Sequence, residues 1–177
     1  MEDNRRSCMR EGGRGNQDPT GNIERAPLTI GEDPEEHVLR TINDEFGKSV
    51  KGSERVRAGL IRARIARDSL YDACKLLRND LGFEHLSMIS AVDYPDRFEI
   101  VYHINSYQSN IMLELIVKLP KDDPTVDSIS SIWGGANWNE RESYDLMGIV
   151  FNDHPKLERI LLPKDTMYHP LRKDFRM

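Results

Sequence analysis

Four side chains late in the chain have the right chemistry for an acid–base or metal site: Glu140, Glu142, Asp145 and His154. A carboxylate and an imidazole can exchange a proton. Glu142 and Asp145 lie three residues apart, so on a helix both could meet one cation. The rest of such a site is missing from the pattern. No H-E-x-x-H occurs and no second histidine stands at helical spacing from the first. The two cysteines, Cys8 and Cys74, form no C-x-x-C pair, and they suit a reduced compartment better than a disulfide framework. Spacing alone therefore favours structural ion pairing over a carboxylate or metal enzyme, since structural networks gather the same groups.

The element that would carry the acids is a helix from Trp138 to about Met147. Asn137 with Glu140 forms a capping-box-like start and Gly148 the stop. Trp138, Arg141, Glu142 and Asp145 fall on one side of it, and Tyr144 and Met147 on the other with Glu140. Apolar groups thus occur nearly all round, mixed with charges, so the helix is expected to be covered on two sides. Arg141 and Asp145, at i and i+4, are expected to pair. A strand at 149–151 precedes His154 and Pro155.

Upstream, Asp33-Pro34-Glu35-Glu36 opens a helix with Val38, Leu39, Ile42 and Phe46 on one stripe and Gly47 at its end. A polar loop is expected over 48–54, then a strand over 56–66 with a bulge near Gly59. A second helix starts at Asp68 or Ser69, with Leu70, Ala73, Cys74, Leu77 and Leu81 buried. Strands follow over 85–94, 97–107 and 110–119. Their short links make antiparallel neighbours. A short helix is expected from Asp122–Pro124 through Val126, Ile129 and Ile132. The fold class is α+β: two N-terminal helices packed on a mostly antiparallel sheet of about four strands, then the acid-bearing helix and an extended C-terminal strap. The domain plan is a disordered tail over 1–33, the α+β domain over 34–151 and a docking segment over 152–177.

That last segment is interrupted by Pro155, Pro163 and Pro170, so no long helix survives there. It nevertheless carries Leu157, Ile160, Leu161, Leu162, Met167, Tyr168, Leu171 and Phe175, too much apolar material for a free tail. Six Lys or Arg stand against four acids, in a chain whose net charge is -5. A kinked basic and apolar strap should lie on a surface, its own domain's or a partner's. The overall acidic balance argues against nucleic acid. No apolar run approaches the ~20 residues of a membrane span, and the N-terminus lacks the apolar core of a secretory signal.

From Glu140 the chain reads E-R-E-S-Y-D-L-M-G-I-V-F-N-D-H-P-K-L-E-R-I-L-L-P-K-D-T-M-Y-H-P-L-R-K-D. It resembles the signature of the 30-kDa subunit of respiratory complex I, E-R-E-x-Y-D-x-x-G-I-x-F-x-x-H-P-x-L-x-R-I-L-x-P-x-D, closing on H-P-L-R-K-D. The likeness covers about residues 34–175. The H-I-N-S-Y and W-x-x-A-N-W-x-E-R-E phrases are closest to the archaeal F420H2 dehydrogenase type. The resemblance implies a peripheral-arm subunit with no active site, metal or cofactor of its own; iron–sulfur clusters and the flavin or other donor site belong to partner subunits. It implies docking on the 49-kDa-type large subunit near the quinone site, on the cytoplasmic side of the membrane, in an ion-translocating NADH or F420H2:quinone oxidoreductase. A complex I-related membrane-bound hydrogenase is the neighbouring possibility. The residues expected to serve the docking contact are Trp138, Arg141, Glu142, Tyr144, Asp145, His154, Arg159, His169, Arg172, Lys173 and Asp174. Trp138 and Tyr144 would act as packing anchors, and Arg159, Arg172 and Lys173 as the strap's bonds to the partner.

Overall fold

The period-2 alternation after Pro95 forms the middle of the sheet. In the computed structural model, which describes residues 33–176, strand β4 (Arg97–Ser106) buries Phe98, Ile100, Tyr102 and Ile104 and turns the intervening side chains outward. It pairs antiparallel with β3 (His85–Asp93) and with β5 (Ile111–Pro120), as the short links require. Of the tail expected over 1–33, residues 1–32 lie outside the described residues, and Asp33 is the cap of the first helix.

The strand expected over 56–66 is divided in two. β1 (Val50–Arg57) and β2 (Leu60–Ile65) form an antiparallel hairpin around Ala58 and Gly59. Gly59 has φ +77°, and a Cβ there would come within 3.3 Å of the Asn110 carbonyl oxygen, so it makes the hairpin turn, while the pairing slips by one residue just before it, between Arg55 and Arg57. Most of β1 falls where a polar loop was expected. It is an edge strand with hardly a buried side chain, so it leaves no apolar alternation to read. β2 then pairs in parallel with β5, the one parallel pair of a five-stranded sheet ordered β1-β2-β5-β4-β3. The sheet is mostly antiparallel, with five strands instead of about four.

Helix α1 (Pro34–Phe46) starts as its sequence dictates: Asp33 accepts the Glu35 N–H at 3.0 Å and Pro34 occupies the first turn. The Glu35 carboxylate also accepts the Gly59 N–H at 2.9 Å, tying the helix to the hairpin turn. Helix α2 (Leu70–Asn79) buries Leu70, Ala73, Cys74 and Leu77. These residues join Val38 and Ile42 of α1 and the inward side chains of β2, β3, β4 and β5 in one core. The outward side of the sheet carries ion pairs such as Arg62–Glu114 (2.6 Å) and Arg97–Glu99 (2.8 Å), as an antiparallel sheet with one wet face allows.

The short helix expected over 122–132 is absent. Thr125–Asp127 is a strand, β6, paired in parallel with β7 (Val150–Asn152). Val126, Ile129 and Ile132 recur at threes, as on a helix, but tertiary bonds claim the backbone there. Arg67 holds Asp123 at 2.7 Å, and the Ile129 N–H donates to Glu140 at 2.8 Å. Helix α3 (Ala136–Met147) begins at Gly135, ahead of the proposed Asn137 cap. The Glu140 side chain is thereby diverted from a capping box to the 128–129 turn.

Candidate functional site

Asp145 is the fixed point of the C-terminal half. Its side chain is fully buried. One carboxylate oxygen accepts the N–H groups of Ile160, Leu161 and Leu162 at 3.0, 2.8 and 2.9 Å, and the other accepts Arg159 Nη1 at 2.6 Å. Burial acts to raise its pKa, but the three amides and the guanidinium outweigh it and hold the carboxyl at about 2. The expected Arg141–Asp145 pair does not form. Arg141 instead donates to the carbonyls of Glu158 (3.1 Å) and Arg159 (3.4 Å) and stacks 5.3 Å over the Trp138 ring. The i,i+4 rule describes an exposed helix; here the strap supplies better partners to both residues.

The strap is coil throughout 153–176 and lies on the C-terminal end of α3. A helix leaves its last four carbonyls without helical partners. The strap provides them. Asp145 O accepts Arg159 Nη1 (3.0 Å) and lies 2.9 Å from His169 Nδ1; Leu146 O accepts Leu171 N–H (3.2 Å). Met147 O accepts Arg172 Nε at 2.6 Å and Gly148 O accepts Arg172 Nη2 at 3.4 Å. Two guanidiniums at the negative end of the helix dipole add favourable electrostatics. Gly148 closes α3 in the left-handed region at φ +71°. A Cβ at Gly148 would lie 2.7 Å from His169 Nε2 and closer still to Arg172, so the glycine also makes room for the strap.

The strap's far end is held from the sheet. Asp93, at the end of β3, accepts the Lys173 N–H at 2.8 Å and an ion pair from Lys121. Burial works to raise the Asp93 pKa, but the Lys121 and Lys173 bonds leave it below the usual value. Arg172 lies 5.4 Å from the centre of the Phe98 ring, and the Lys173 ammonium 5.9 Å from that of Tyr94. Arg159 and Arg172 thus spend their guanidiniums inside the chain rather than reaching outward, and Lys173 binds through its backbone. Asp174 is exposed. Asp93 escaped the sequence reading because 80 positions separate it from Lys173; nothing local marks it.

The acid–base set is dispersed. Glu140 and His154 have fully buried side chains 3.8 Å apart. Glu140 accepts Ser128 Oγ at 2.6 Å and the Ile129 N–H; burial pushes it up to about 7, against the pull of those two bonds. His154 Nδ1 accepts the Lys156 N–H at 3.0 Å, which places the proton on Nε2, 3.2 Å from the Asn137 carbonyl. Burial lowers the His154 pKa, so a neutral imidazole fits its surroundings. Asp145 is enclosed by the strap, and Glu142 sits on the exposed side of α3. The four residues therefore do not converge on one point. Among the described residues no group of three or more His, Cys, Asp or Glu side chains could hold a metal.

Helix α3 is covered on two sides, as expected. The core takes Ala136, Glu140, Ser143 and Met147, and the strap takes Arg141 and Asp145. Half-buried Tyr144 packs against the core. A third side stays open, with Trp138 62% exposed beside Glu142. The strap turns Leu161, Met167, Tyr168 and Leu171 outward, each at least half exposed. Arg159 and Arg172 thus turn inward while these four large apolar side chains face out, an unusual share of apolar surface for a water-facing segment.

Residues 63–177 match the family described as the 30 Kd subunit of respiratory-chain NADH dehydrogenase. The chain belongs to that family. The C-subunit of F(420)H(2) dehydrogenase from Methanosarcina mazei is 38% identical over 141 residues, which span 78% of this chain and 89% of that one. The C-subunit of NADH-quinone oxidoreductase from Geobacter sulfurreducens is also 38% identical, over 76% of this chain and 85% of its own. Among solved structures, a trypsin-resistant fragment of Nqo5 superposes with a TM-score of 0.58 at 28% identity, covering 68% of this chain and 99% of the fragment. A chain of the membrane-bound sulfane sulfur reductase, an archaeal respiratory membrane complex, shares the fold of this 30-kDa-type chain. It superposes with a TM-score of 0.71 at 23% identity over 80% of this chain and 85% of its own.

Proposed function

We propose that this 30-kDa-type chain is a structural subunit in the peripheral arm of a complex I-like oxidoreductase, without an active site of its own. It docks on the 49-kDa-type large subunit near the quinone site, on the cytoplasmic side of the membrane, and the redox cofactors belong to neighbouring subunits. One observation carries the reading: the strap's Arg159 and Arg172 are consumed in binding α3, while Trp138, Leu161, Met167, Tyr168 and Leu171 are left exposed. Aromatic and aliphatic anchors displayed on a pinned surface are what a protein interface uses, and the pinning lowers the entropy lost on docking. None of the described helices is long and apolar enough to cross a membrane, so membrane association through partners fits. Relatives named for an F420H2 donor and for an NADH donor match at the same 38% identity, as suits a subunit that does not touch the donor. The separation of Glu142 and Asp145 from the buried Glu140–His154 pair speaks against the free-standing carboxylate enzyme.

Affinity purification of the tagged full chain from cells that make the whole complex tests this. The large subunit should co-purify, and the double substitution Trp138→Ala, Leu171→Asp should lower its recovery about tenfold or more without changing the far-UV spectrum. Wild-type chain eluting alone, or turning over NADH or F420H2 with quinone unaided, would overturn the reading.

A further inference from the structure

Beside the open side of α3, the structure holds a groove of about 250 Å³ between that helix and edge strand β3, with Leu171 of the strap at its rim. Met88 and Ala91 line one wall and Leu146 the other; Met88 is 47% and Leu171 59% exposed. Ser90, Asn139 and Ser143 add polar groups to the lining, and the Glu142 carboxylate stands there too, with no hydrogen-bond or ion-pair partner among the described residues. Its neighbour Arg141 turns away to the carbonyls of Glu158 and Arg159. A partner that covers the groove removes apolar area from water, which is favourable. It also desolvates a carboxylate, which is unfavourable unless a cation comes with it.

We infer that the α3–β3 groove receives a segment of the neighbouring large subunit that presents an Arg or Lys directly beside an aliphatic or aromatic side chain, the cation meeting Glu142 and the apolar group lying against Met88, Leu146 and Leu171. This rests on the assembly reading above and adds the chemistry of the partner segment. The unbranched Met88 suits such a contact because it can adapt to the incoming side chain. The charge makes the contact selective: an acidic or uncharged segment of the same shape leaves Glu142 buried without a partner.

The test compares the tagged full chain with Glu142→Arg, Glu142→Gln and Asp44→Arg during purification of the assembled complex. Asp44 is an exposed acid on α1, a helix that packs at the β1 edge, away from β3. Glu142→Arg should reduce recovery of the large subunit by about tenfold or more, and Glu142→Gln by less, as expected for loss of one member of a buried charge pair. Asp44→Arg should behave as wild type. A photo-reactive benzoylphenylalanine in place of Met88 should cross-link to a large-subunit peptide with a Lys or Arg next to an apolar residue. Wild-type recovery with Glu142→Arg, or a cross-link to residues 1–32 of the same chain, to a second copy or to an acidic peptide, overturns the groove assignment and leaves the assembly reading standing. Failure of the wild-type chain to co-purify overturns both.

Discussion

Asp145 shows what one buried carboxylate can organise. It accepts three consecutive amides and a guanidinium from a segment 14 to 17 residues downstream. Breaking a buried pair by removing one partner costs about 3–5 kcal/mol; Asn keeps one acceptor oxygen, so Asp145→Asn should cost about 2–4 kcal/mol, read from urea unfolding at neutral pH. The pH profile carries the same signature. The Asp145 pKa is depressed from 3.8 to about 2, so its contribution is complete above about pH 4 and is lost as pH falls toward 2. Glu140 acts in the opposite sense. Its pKa is raised from 4.5 to about 7, so the folded state holds the proton more tightly and stability declines as pH rises from about 4.5 to about 7. Glu140→Gln should flatten that upper limb and Asp145→Asn the acid limb; a variant profile parallel to the wild type would refute the assignment concerned. Neither environment is visible in the sequence, where Asp145 and Glu140 are two acids five positions apart on one helix.

At the scale of elements, α3 and the strap form one unit. The helix was legible because Gly148 ends it and the residues between Ala136 and Met147 tolerate helix. The strap's conformation was legible only as an exclusion, through its three prolines. Its destination follows from the unpaired carbonyls of the last helical turn, which Arg159, His169 and Arg172 reach together. Gly148 is the hinge of that arrangement. Gly148→Ala combines a strained positive φ with a clash against His169 and Arg172. It should lower stability by about 1–3 kcal/mol and expose the strap, seen as faster tryptic cleavage at Lys164 and Arg172. Cleavage at the wild-type rate would argue that the strap can shift without leaving. Element identity failed at β6 for a related reason: three apolar residues at helical spacing were outvoted by the pairing of Thr125–Asp127 with β7.

For the molecule as a whole, one core joins α1, α2, α3 and four strands of the main sheet. Unfolding should therefore be a single cooperative event, with far-UV ellipticity and tryptophan fluorescence sharing one midpoint. Trp138→Phe leaves buried Trp133 as the reporter. Two separated midpoints would mean that the α3–strap unit melts apart from the sheet. The outward sheet face adds little to this stability, since exposed ion pairs contribute about 0–1 kcal/mol each.

The sequence by itself determined the α+β class, the capped start of α1, the buried stripe of α2, the β3–β4–β5 meander and the end of α3 at Gly148. Each rests on contacts within a few residues or on a short period, and the family signature from Glu140 to Asp174 rests on order alone. Only the tertiary structure decided that β2 lies in parallel beside β5, that β1 exists as a polar edge, and that Asp145 serves the strap instead of Arg141. It also decided that Glu142 is left unpaired in the groove between α3 and β3. The reason is common to all four: a side chain's partner is chosen among everything the fold brings within reach. For Asp93 and Lys173 that partner lies 80 residues away.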